Sequence, residues 1–174
     1  VRNPGTLLKA LQSLHKKHTD LNERLEVRLV GPKDSYCEEL IQKTNLSFVR
    51  NIGLVSYSES LKEQASSDYL LLMDSNFNKP ILTMYFPSKI LDYMSQFKPI
   101  IALTPAHSTS TEVIAEYKLG KAFDYSNEDQ LTTYLETIIY GSTEINLNFT
   151  LPKELSASYN ANRLYDVFLR YGKK

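Results

Sequence analysis

The sequence predicts an α/β protein: a doubly wound parallel sheet with helices on both faces and an extra C-terminal helix. Apolar strand-like segments alternate with amphipathic helical ones from Leu25 to Tyr140, the pattern of a parallel sheet covered by helices. Tyr69 to Met73 is an unbroken apolar run, as a strand buried on both faces requires. Right-handed crossovers then wind the chain over both sides of the sheet.

Each element has a local reason. Asn3-Pro4-Gly5-Thr6 carries helix-start chemistry, and Leu7, Leu8, Leu11 and Leu14 form a stripe, so a helix is expected from Pro4 to about His18. Leu25 to Val30 reads as a strand closed by Gly31-Pro32. Asp34 can cap a helix running to Thr44. Ser47 to Ile52 is strand-like and ends at Gly53, and Ser58 to Ala65 is a short helix. Asp74 to Tyr85 is a polar loop. A helix begins at Pro87, and after it comes the strand Ile100 to Leu103. Pro105 to Thr111 leads into a helix that Gly120 is expected to close. Lys121 to Tyr125 is a short strand, and Asn127 can cap a helix to Tyr140. Gly141 to Pro152 reads as irregular. Glu154 to Tyr171 is a final helix with Leu164, Val167, Phe168 and Tyr171 on one side.

At 174 residues the chain suits one domain with a substantial core. A formal net charge of +0 argues against a nucleic-acid partner, which needs a basic surface. Cys37 is the only cysteine, so no internal disulfide forms, and a reducing, cytoplasmic setting is expected. The triplets Asn45-Leu46-Ser47 and Asn148-Phe149-Thr150 then read as accidental glycosylation matches. No signal peptide is expected, and no apolar run in the sequence reaches membrane-spanning length. The chain opens at Val1 without methionine and reads as a piece of a longer protein. No Cys/His/Asp spacing suggests a metal site, and no Gly-x-Gly-x-x-Gly or Walker motif is present.

The chemistry concentrates in Phe86 to Pro99. Pro87 suits a first helical turn. Ser88 either caps the helix or leaves backbone N–H groups open, and open N–H groups bind phosphates. Lys89 adds a full charge at the same end. Ile90, Leu91, Met94 and Phe97 recur at helical spacing and are expected to face the core, while Lys89, Asp92 and Gln96 share another face. Asp92, one turn in, is placed to accept hydrogen bonds from sugar hydroxyls. A plain amphipathic helix with a surface Lys/Asp pair explains the same pattern.

Phe86 to Pro99 also resembles the "fPSK-(apolar)2-(acid)-Y-M-x3-K/R-P" segment of retaining nucleotide-sugar glycosyltransferases with two Rossmann-like domains, often called group 1 glycosyltransferases. Leu46 to Val55, Ser67 to Ser75 and Thr109 to Gly120 are similar to three further segments of that family, in the same order. The resemblance covers most of the chain and matches the C-terminal, donor-binding domain.

That resemblance implies a whole enzyme that transfers a hexose-type sugar from a nucleotide-sugar to an acceptor, in surface polysaccharide biosynthesis, without a cofactor or a metal. It implies that the acceptor binds mainly to a missing N-terminal domain, so the isolated chain is expected to be inactive. Association of the full-length enzyme with the inner face of the membrane stays open. By the same resemblance, Ser88, Lys89 and Arg2 contact the donor pyrophosphate, although a solvated Arg2 is an equal reading. Asp92 matches the second acid of a paired-acid motif, which in the family binds ribose. The first acid is replaced by Met84, or a different loop register brings in Asp74 or Ser75. Val55, Ser56 and Tyr57 lie where the family holds the base. Ser75, Thr109 and Glu112 would line the sugar side, with helix capping as the plain explanation of the latter two. The last helix returns toward the absent domain in that picture, against a simply packed helix.

Two other classes remain in view. Half of a sugar-nucleotide epimerase has a similar build. A receiver-like signalling module is also a doubly wound sheet, with Asp74 as phospho-acceptor. That module needs an acidic pair after its first strand, where this chain has Gly31-Pro32.

Overall fold

A computed structural model describes residues 3–75, 86–141 and 153–171. They form an α/β protein with parallel strands in two sheets and eight α-helices. In chain order these are α1 (Gly5–Lys17), α2 (Leu21–Arg24), β1 (Val27–Val30), α3 (Ser35–Thr44), β2 (Val49–Gly53), α4 (Tyr57–Ser66) and β3 (Leu70–Met73). Next come α5 (Lys89–Ser95), β4 (Ile100–Leu103), α6 (Thr109–Glu116), β5 (Gly120–Phe123), α7 (Glu128–Tyr140), a 3-10 turn (Lys153–Leu155) and α8 (Ala157–Tyr171).

The sheet expected as one is two among the described residues. β1 pairs with β2, and β3, β4 and β5 pair in that order, all parallel. Strands β2 and β3 lie in different sheets, so they do not form a hairpin. What joins the two sheets is packing. Val27 and Leu29 of β1 share one apolar cluster with Leu71 and Met73 of β3 and Ile101 and Leu103 of β4. Helices α1 and α7 supply that cluster with Leu7, Leu8, Leu11, Leu14, Leu131 and Leu135.

Alternation along the strands builds the second cluster. Leu72, Ile100 and Ala102 point the other way and meet Ile90 and Met94 of α5 and Ile114 of α6. Every residue of β4 is buried, which is why its sequence is apolar without alternation.

Local chemistry explains the helix ends. The Asp34 carboxylate accepts from the N–H groups of Tyr36 and Cys37 and starts α3. Ser56 and Glu59 form a reciprocal capping box on α4. Three local features differ from expectation. Asn127 stands at the cap position of α7 but makes no side-chain cap bond. Helix α6 ends at Glu116, the left-handed residue after it is Lys118, and Gly120 opens β5 instead of closing the helix. On α5 only Ile90 and Met94, one turn apart, are buried. Leu91 lies about 100° round the helix from Ile90 and is exposed. Phe97, past the helix end, has a positive φ of 53° that breaks the helical phase, and it is exposed too.

Helix α8 departs furthest from a packed element. All residues from Asn160 to Tyr171 are exposed, including Phe168 at 63% and Tyr171 at 78%. The region 142–152 that precedes it lies outside the described residues.

Candidate functional site

In a parallel sheet, ligands meet the carboxyl ends of the strands and the helix starts beyond them. Here that edge holds Asp74 after β3, Thr104 after β4, and Asp124 and Tyr125 after β5. The starts of α4, α5 and α6 belong to the same edge, because each crossover returns the chain to the opposite edge to begin the next strand, and Thr6 at the start of α1 reaches that edge at the Tyr125 carbonyl.

A buried polar chain runs through it. The Thr104 hydroxyl donates to Asp74 Oδ2 across 2.8 Å. Ser108 Oγ lies 2.6 Å from the Thr104 hydroxyl, and Ser108 also caps α6 by accepting from the Thr111 N–H. Asp74 is 6% exposed, and its other oxygen, Oδ1, is buried without a hydrogen-bond partner among the described residues. The Tyr125 hydroxyl donates to the Asp74 carbonyl, and the Tyr125 carbonyl accepts from Thr6 of α1 at 2.8 Å. These bonds tie the ends of β3, β4 and β5 to the starts of α1 and α6. Burial in this network, not presentation to solvent, is the state of Asp74.

Asp124 makes the neighbouring link. Its carboxylate accepts from the Ser126 N–H and hydroxyl at 2.9 and 2.6 Å and from the Ala106 N–H at 3.1 Å. The Ser126 hydroxyl, first among these donors, holds its pKa below the ordinary value.

Ser88 and Lys89, the residues expected to meet a pyrophosphate, stand at the start of α5. Ser88 and Lys89 are exposed, and Ser88 makes no side-chain cap bond. The Ile90 and Leu91 N–H groups are already bonded to the Pro87 and Ser88 carbonyls at 3.0 Å each. Pro87 therefore stands ahead of the helix, and the first turn is a tight one. Arg2 and Met84 lie outside the described residues.

The structure brings two predicted residues together. The Tyr57 hydroxyl donates to Asp92 Oδ1 across 3.4 Å, from the start of α4 to the first turn of α5. Asp92 is half-buried and Tyr57 is exposed. Ser56, between Val55 and Tyr57, has its N–H and hydroxyl engaged by Glu59 at 2.9 and 2.7 Å. Its part is the capping box, with half-buried Val55 before it and the exposed Tyr57 ring after it. Ser75 is half-buried beside Asp74. Thr109 and Glu112 lie in the first turn of α6, where Ser108, not either of them, provides the cap.

Thr104, Ser108 and Tyr125 belong to no motif. Their only signal in the sequence is position: Thr104 and Tyr125 come within two residues of a strand end. Among the described residues no helix is long and apolar enough to cross a membrane, and no group of three His, Cys, Asp or Glu side chains converges as a metal site. No family model matches the chain, and no curated protein matches it.

Proposed function

We propose that the chain is the donor-binding half of a glycosyltransferase, a doubly wound Rossmann-like domain that holds a nucleotide-sugar for transfer of its hexose-type sugar. The observation that carries the reading is the Tyr57–Asp92 contact. It brings a flat aromatic ring and a hydroxyl-accepting carboxylate to one place, beside the cation and open serine at the start of α5. A nucleoside needs the first two, and a diphosphate needs the others.

Each residue then has a role. Tyr57 and Val55 receive the base and Asp92 the ribose. Lys89 and Ser88 face the diphosphate, where negative charge grows as the glycosidic bond to phosphate breaks. Arg2 adds a second cation. Ser75, Thr109 and Glu112 lie toward the sugar. The acceptor binds mainly on a partner domain, whose closure completes the site, so the chain alone shows no turnover.

Titration of a nucleoside diphosphate and the plain nucleoside tests this. Lys89→Ala loses a charge-assisted bond of roughly 1.5–3 kcal/mol. Diphosphate binding should weaken roughly 10- to 150-fold, and nucleoside binding should hardly change. Equal diphosphate affinity in the variant and the parent would reduce Lys89 to a surface lysine and end the reading.

A further inference from the structure

Strands β1 and β3 each have one bonded edge and one open edge among the described residues. The N–H groups of Val27 and Gly31 bond toward β2, and those of Leu70 and Asp74 bond toward β4. In a parallel ladder alternate residues turn their backbone groups to opposite edges. Those of Arg28 and Val30 on β1, and of Leu71 and Met73 on β3, therefore point away from β2 and β4, and neither strand has a second partner strand. The Leu71 carbonyl accepts from the Tyr93 hydroxyl at 3.1 Å, and its second lone pair is left for a ladder bond. Val27, Leu29, Leu71 and Met73 line these edges and are only half-buried, although all four border the apolar cluster.

Handedness sets the two open edges opposite each other. Helix α3 packs Leu40 and Ile41 on the same sheet face as α1 and α7, whereas α5 and α6 pack Ile90, Met94 and Ile114 on the other. Right-handed crossovers on opposite faces advance in opposite directions across a sheet. The step from β1 to β2 thus runs one way, and the steps from β3 to β4 to β5 run the other. Helix α4 joins β2 to β3, and its Glu63 holds Arg28 of β1 at 2.7 and 2.8 Å. Arg28 alternates with Val27 and Leu29, so α4 lies on the face of α5. Its crossover then carries the chain from β2 past β1 to β3. Neighbouring parallel strands are bonded along their length at a spacing of about 4.8 Å, yet β1 and β3 share a core with no ladder between them.

Helix α1 points to what fits there. It starts at the carboxyl edge, where the Thr6 hydroxyl meets the Tyr125 carbonyl at 2.8 Å. It runs alongside α7, with Lys17 and His18 on Glu136 at 2.9 and 2.6 Å, and feeds β1 through α2. That is the course of a crossover helix. Because α1 shares the face of α3, a right-handed connection puts the strand before it on the side of β1 away from β2. We propose that the gap between β1 and β3 takes a sixth parallel strand, formed by the segment that leads directly into α1. A strand there is covered on both faces and bonded on both edges, so its chemistry is an unbroken apolar run rich in Val and Ile. Its carboxyl end enters the ligand edge where the strand order reverses. The inference rests on the sheets alone and is independent of the donor site.

The test is amide hydrogen exchange, read residue by residue, on the chain and on the same chain with Val-Ile-Val-Ile-Val joined ahead of Val1, which leaves a short loop before α1. An extension of five Gly and Ser residues is the control. The apolar extension should slow exchange at Arg28, Val30, Leu71 and Met73 together by at least about tenfold, while Val27 and Leu70, already bonded to β2 and β4, change less. It should also raise Tm, and the Gly/Ser extension should do neither. Exchange at the four amides as slow in the unextended chain as at Val27 and Leu70 would mean that β1 and β3 are already paired, and it overturns the proposal. So does unchanged exchange in the extended chain, equal slowing by the Gly/Ser extension, or slowing confined to the outer edge of β2 or of β5.

Discussion

The hydrogen bond of 3.4 Å from the Tyr57 hydroxyl to Asp92 Oδ1 joins residues 35 positions apart. It fixes the distance between the start of α4 and the start of α5 at the edge where a ligand would sit. The bond is exposed, so its removal should leave stability within about 0.5 kcal/mol. Its effect should fall on binding. Tyr57→Phe leaves the Asp92 carboxylate unheld and should weaken nucleoside and nucleoside diphosphate alike, roughly 2- to 10-fold. Asp92→Ala should weaken both further. A variant that loses diphosphate affinity alone would show that Asp92 does not contact ribose.

Asp74 and Thr104 test the buried network. Thr104→Val keeps the shape of the side chain and deletes the donor to Asp74 Oδ2. Since Asp74 Oδ1 has no partner among the described residues, the variant leaves a buried carboxyl group without its Thr104 donor. Urea unfolding should show a loss of about 1–3 kcal/mol. Adding Asp74→Asn should recover part of it, because the two groups are coupled. A loss below about 0.5 kcal/mol would show that water reaches Asp74.

Gly120 opens β5 with a φ of +150°, and a Cβ there would lie 2.0 Å from the Ile100 carbonyl oxygen. That oxygen belongs to the adjacent strand. Gly120→Ala should destabilise the protein by at least about 2 kcal/mol, from backbone strain and separation of β4 from β5. An alanine variant as stable as the parent would mean that the β4–β5 register differs from Ile100 opposite Gly120.

Stability should fall on both sides of neutral pH. The Glu136 carboxylate accepts from Lys17 at 2.9 Å and lies 2.6 Å from His18 Nε2. Lys17 first, and His18 after it, hold the Glu136 pKa below its ordinary 4.5. Asp124 likewise lies below 3.8, held by Ser126. The unfolded chain binds more protons at these sites, so their contribution is present above the ordinary values and is lost as pH falls through the lower folded ones. At the alkaline end, burial pushes the Tyr134 phenol up to about 12 from 10.0. The folded state keeps a proton that the unfolded state releases, so stability declines as pH rises from about 10 through about 12. Thermal melts across this range check both limbs. A Tm that rises between about pH 10 and 12 would contradict the burial of Tyr134.

The sequence by itself determined the elements whose causes are local. The Leu7, Leu8, Leu11 and Leu14 stripe specifies α1, Asp34 specifies the start of α3, and the apolar runs at β3 and β4 specify strands covered on both faces. Each depends on neighbours within a turn or two, so periodicity and cap chemistry suffice. Parts of the edge were legible for the same reason: a polar residue directly follows β3 and β4, and Lys89 and Asp92 share one helix. Only the tertiary structure decided the rest. The pairing of β1 with β2 apart from the three-stranded sheet, the contact of Tyr57 with Asp92, and the donation from Thr104 to Asp74 across 30 positions depend on which surfaces meet. Helix α8 makes the same point in reverse. Its stripe of Leu164, Val167, Phe168 and Tyr171 has the periodicity of a packed helix, yet the fold leaves it uncovered. Amphipathicity states that a face needs apolar cover, and the covering surface is set by contacts outside the helix.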